Sequence, residues 1–173
     1  GLTRSPDRKP FFGPINTFVS YTWRGGKGAE KITLMKLIEA LEDTLSAERP
    51  DDLDSIFMFV DVFVCAQHRR KRPDSDTCPN ETDMNMFEEI IRCSCDRLVL
   101  YCTPIVDPKV LRRVWCLAEL GFATSFNIPI LVALGEEDRK LFETELGCFS
   151  ENILEPFKRI SMEGAQVSRR DDK

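Results

Sequence analysis

Apolar positions recur along this chain in two alternating rhythms. Short, dense apolar runs occupy Thr17–Tyr21, Ile56–Val64, Arg97–Cys102 and Ile128–Leu134. Their length and β-branched content mark buried strands. A fifth, weaker run lies at Phe157–Met162. Between the strands the spacing changes to i, i+3, i+4, the mark of amphipathic helices. Glu30–Ala47 carries Ile32, Met35, Leu37, Ile38, Leu41 and Leu45, and Glu81–Cys93 carries Met84, Phe87, Ile90 and Ile91. Pro108–Phe126 reads as one helix with Val110, Val114, Leu117 and Gly121 on its buried face, and Glu136–Leu146 as a short helix. Strands alternating with helices imply right-handed βαβ units and a parallel sheet covered on both faces. The expected architecture is therefore α/β: a three-layer, flavodoxin-like, five-stranded parallel sheet in the order 2-1-3-4-5.

Ligands of such sheets bind where the strand order reverses, at the carboxyl ends of the strands. Here that is the crevice between strands 1 and 3. Strand 1 runs into a glycine-rich loop, Thr22-Trp23-Arg24-Gly25-Gly26-Lys27-Gly28, and strand 3 leads into the helix bearing Trp115 and Glu119. Four residues apart on a helix, an indole and a carboxylate share a side. Together they can grip a flat cationic ring, the indole by stacking and the carboxylate by charge. The plainer reading is a solvated helix charge beside a half-buried core tryptophan. The glycine loop is neither a Walker sequence nor a GxGxxG fingerprint, so neither a P-loop nucleotidase nor a dehydrogenase is indicated. Asp61 is set inside the apolar strand Ile56–Val64, where a carboxylate needs a partner. It caps the next loop, bonds a basic group, or serves a site.

Composition narrows the classes further. A chain of 173 residues fits one domain. Residues 1–14, with Pro6, Pro10 and Pro14, form a poorly patterned leader, and 15–173 the domain, expected to be part of a longer protein. Net charge is -5, which disfavours nucleic acid as partner. The one basic run, His68-Arg69-Arg70-Lys71-Arg72, is loop-like. No apolar run approaches the ~20 residues of a membrane span, so no membrane partner is expected. The seven cysteines lie mostly in or beside apolar segments, as reduced thiols of a cytoplasmic protein do. Cys93 and Cys95 with Cys78 and His68 lack the paired CxxC spacing of a zinc site, and no metal is expected.

Three segments in order resemble a known family. Phe18-Val19-Ser20-Tyr21 resembles the opening strand of a TIR (Toll/interleukin-1 receptor) domain, and Phe59-Val60-Asp61 its second strand. Trp115-Cys116-Leu117-Ala118-Glu119-Leu120 is similar to the Trp-Cys-Leu-x-Glu-Leu segment of plant TIR immune receptors. The resemblance spans about Asn16 to Met162 and implies the 2-1-3-4-5 sheet. It also implies one of two functions. Many members cleave NAD+ between nicotinamide and ribose, and others are catalytically silent signalling modules that work by association with other TIR domains. In the catalytic members the glutamate matching Glu119 is required, and in animal members a tryptophan matching Trp115 stacks on nicotinamide. NAD+ is then substrate, not cofactor. Substrate contacts would come from Ser20, Tyr21, Trp23, Arg24, Gly25, Asp61 and Trp115. The chain departs from the family in two places: Thr22 and Trp23 stand where an arginine is usual, and no glycine closely follows Asp61. A nucleoside deoxyribosyltransferase-like enzyme with Glu119 as nucleophile is a third possibility on the same fold.

Overall fold

The computed structural model describes residues 13–22, 34–50, 53–60 and 79–146. The leader up to residue 12, the basic run at 68–72, Cys65, Cys78, Cys148 and the expected fifth strand at 157–162 lie outside them. Among the described residues four parallel strands form one sheet in the order β2-β1-β3-β4. They are β1 (Thr17–Ser20), β2 (Met58–Val60), β3 (Arg97–Tyr101) and β4 (Ile130–Ala133). The helices are α1 (Leu34–Glu48), α2 (Pro79–Ser94), α3 (Val114–Ser125) and α4 (Glu136–Leu146).

Strand register sorts the core into two layers. Phe18 pairs with Phe59 and Leu98, and Val19 with Val60 and Val99. Side chains alternate across a strand, so Phe18, Phe59, Leu98 and Leu100 pack on one face with Phe87 and Ile91 of α2 and Cys116 and Ala123 of α3. Val19, Tyr21, Val60, Val99 and Tyr101 pack on the other with Leu37, Leu41 and Leu45 of α1. β3 is buried along its whole length, as a strand covered on both faces must be.

The second strand is less enclosed at its entry than its apolar run suggests, and residues 61–64 of that run lie outside the described residues. Only Met58–Val60 is described as strand, and Met58 is exposed. As the outermost described strand on that side, β2 has less to bury against at its entry.

Arg97 opens β3 yet is only 3 % exposed. Its guanidinium Nη1 donates to Glu48 Oε2 at 3.0 Å, at the carboxyl end of α1, where the helix dipole also favours a cation. A buried charge without a partner is costly. Because Glu48 is about a third open to water, solvent replaces part of what is lost. Glu48→Gln is therefore expected to cost about 1–2 kcal/mol, read as a lower urea midpoint at unchanged slope.

The expected helix over 108–126 is two pieces. Lys109–Arg112 is a 3-10 turn, and α3 starts only at Val114, because Arg113 between them is extended (φ -98°, ψ 129°). That break resets the helical phase. The buried positions of α3 are Cys116, Leu117, Glu119 and Ala123, while Val114 is half-buried and Gly121 exposed. The helix ends on Asn127 at φ 57°. Ile128 N–H donates to the Ala123 carbonyl, and Asn127 N–H to that of Thr124, so the last carbonyls are satisfied as in a Schellman ending. Among the described residues, no helix is long and apolar enough to cross a membrane.

Of the four described cysteines, Cys95, Cys102 and Cys116 are buried and Cys93 is exposed; all are free thiols. Burial pushes Cys95 up to about 12, with Asp96 adding, and Cys102 likewise to about 12, with Asp138 adding. The thiolate is the reactive form, so both stay protonated and inert at pH 8. Iodoacetamide is expected to modify Cys93 in the folded protein, and Cys95, Cys102 and Cys116 only after denaturation. Peptide mass mapping checks this.

Candidate active site at the β1–β3 reversal

The strand order reverses between β1 and β3, which are hydrogen-bonded neighbours. β1 leaves the sheet there through Ser20, Tyr21 and Thr22, all buried. By alternation, Ser20 faces the same side as Phe18, toward α3, and Tyr21 faces α1.

α3 meets this strand end with one side chain per turn. Glu119 is 6 % exposed and Ser20 1 %. Ser20 Oγ donates to Glu119 Oε2 at 2.5 Å, within the short range expected of a hydroxyl on a carboxylate. One turn earlier, Cys116 Sγ donates to the Tyr21 carbonyl at 3.5 Å. At the head of the helix, Arg113 Nη1 donates to Thr22 Oγ1 at 3.3 Å. Residues 113, 116 and 119 thus meet 22, 21 and 20 in turn. The helix runs antiparallel to the strand, and the contacts form a seam that ends on the carboxylate.

Burial removes the reading of Glu119 as a solvated helix charge. A carboxylate out of water must be hydrogen-bonded, and the Ser20 hydroxyl meets that need in part. In such surroundings a fixed charge acts more strongly on its neighbours than it does in water.

Trp115 is half-buried and packs against the core on the α2 side. Its ring lies edge-on to Phe87, with centroids 5.9 Å apart and planes at 70°. Its contact with the core is therefore through aromatic packing, as the plainer reading of this residue holds. The Tyr21 ring packs in the α1-side core, and its backbone carbonyl meets the seam. Trp23, Arg24, Gly25 and Asp61 lie outside the described residues.

Sequence reasoning passed over Arg113, Thr22 and Cys116. The i, i+3, i+6 spacing of Arg113, Cys116 and Glu119 becomes meaningful only once the helix is known to start after Arg113, and Thr22 joins them only through the fold. Among the described residues no group of three or more His, Cys, Asp and Glu could hold a metal ion. No family model, no curated protein and no solved structure matches this chain.

Proposed function

We propose that this chain is a TIR domain that hydrolyses NAD+ in cytoplasmic signalling or defence, with Glu119 as its catalytic carboxylate. The observation that carries the proposal is the buried Glu119 carboxylate held by Ser20 at the strand-order reversal, where parallel α/β sheets bind ligands. The observed order β2-β1-β3-β4 is that of the first four strands of the family's 2-1-3-4-5 sheet, and a fifth strand is part of the proposal.

In the reaction the bond between ribose C1′ and the nicotinamide nitrogen breaks. The electron pair leaves with nicotinamide, neutralising its ring, and the ribose acquires oxocarbenium character. A carboxylate beside the ribose stabilises that charge, as in glycosidases. Water then adds at C1′ and loses a proton, giving ADP-ribose; capture by an internal nucleophile gives a cyclic product instead. Trp115 is assigned to the nicotinamide, and the loop holding Trp23, Arg24 and Gly25, with Asp61, to the rest of the substrate.

The burial of Glu119 also favours a second reading. In it the Ser20–Glu119 bond is a structural tie in a catalytically silent module that signals by association with other TIR domains. Nicotinamide release from NAD+ by concentrated, clustered protein separates the two. Release supports the enzyme. A folded, self-associating protein that releases none supports the module.

A further inference from the structure

We infer that Ser20 is a positioning residue for the Glu119 carboxylate, not a substrate contact. The inference rests on the proposed reaction and deepens it. Ser20 is 1 % exposed, and its hydroxyl is engaged with Glu119 Oε2 at 2.5 Å. A hydroxyl so enclosed and so committed is poorly placed to bind a ligand arriving from solvent. It is well placed to help fix the Glu119 carboxylate at the end of a side chain with three torsions.

The backbone around Ser20 is fixed for the same purpose. Its strand is paired on one side to β2 and on the other to β3, where Ser20 itself is in register with Leu100. The next two residues are bound by Cys116 and Arg113 of the α3 seam. The hydroxyl is thus referenced to the sheet and the carboxylate to the helix, and their bond sets the carboxylate relative to the crevice. Small misplacements of a reacting group are costly, since an error of about 1 Å can lose about 100-fold in rate.

The test compares Ser20→Thr with Ser20→Val, which match in shape and differ in the hydroxyl, beside Ser20→Ala. Ser20→Ala and Ser20→Val are expected to lower kcat by about 10- to 100-fold, with KM within about twofold of the parent. Ser20→Thr is expected to recover most of kcat. A purely structural role would not follow the hydroxyl in this way. A raised KM at unchanged kcat would make Ser20 a substrate contact and overturn the inference, as would equal rates for the Thr and Val variants.

A second readout needs no turnover. The Glu119 side-chain carboxyl, labelled with carbon-13, is expected to give one sharp resonance in the parent and Ser20→Thr, and a shifted, averaged one in Ser20→Ala and Ser20→Val. If the parent releases no nicotinamide, the proposed reaction fails. The resonances then still decide whether Ser20 holds the carboxylate: a difference upholds the positioning, and identical spectra overturn it.

Discussion

Glu119→Gln is expected to lower NAD+ cleavage by about 100- to 1000-fold while leaving the protein folded. The amide keeps the shape of the carboxylate, and its carbonyl oxygen still accepts the Ser20 hydroxyl. What is lost is the negative charge that would face the developing ribosyl cation. Stability is expected to hold or rise, because a buried charge that had to be desolvated becomes a neutral amide. A purely structural tie, which the amide preserves, would leave nicotinamide release unmoved. Glu119→Ala is less informative, since it also strands the Ser20 hydroxyl in a buried site. A rate unchanged by Glu119→Gln would move the chemistry to another group.

The largest expected loss of stability is at Phe18. Its ring is fully buried, stacks on Phe59 at 5.1 Å and meets Phe87 edge-on at 5.8 Å, while Phe59 and Phe87 are themselves 5.7 Å apart. The three rings come from β1, β2 and α2, so one side chain joins two strands and the helix above them. Phe18→Ala is expected to cost about 3–5 kcal/mol through lost transfer energy and the cavity left behind. At about 2–4 °C per kcal/mol for a chain of this size, the melting temperature falls on the order of 10 °C. Phe18→Leu fills more of the space and is expected to recover about half. A loss under about 1 kcal/mol for the alanine variant would mean that the aromatic cluster can close over the gap.

What the sequence made legible was periodic. The strand at Arg97–Tyr101, the helix at Glu136–Leu146 and the reversal between β1 and β3 follow from apolar spacing and the βαβ rules. The break at Arg113 did not, because the residues around it keep an apolar rhythm on either side, and one extended residue is enough to turn the following face. For the same reason the burial of Glu119 was legible only as one of two readings: its neighbours in sequence say that it lies on a helix, not where that helix lands. The Arg97–Glu48 pair was hidden for a related reason. Each residue is unremarkable alone, and tertiary packing brings them together across 49 positions.

The two residues of the central hydrogen bond stand 99 positions apart in the chain. Closing a loop of that length costs entropy that local structure cannot repay, and contacts of such separation slow folding. The Ser20–Glu119 geometry is therefore expected to be among the last features acquired during refolding, after helix signal and much of the fluorescence change have returned. Cleavage of the backbone anywhere between β1 and α3 would likewise make the site's assembly bimolecular. Recovery of Ser20–Glu119 geometry thus reports that β1 and α3 have come together across the intervening β2 and β3, and it is a stricter measure of native protein than a spectroscopic signal from a single element.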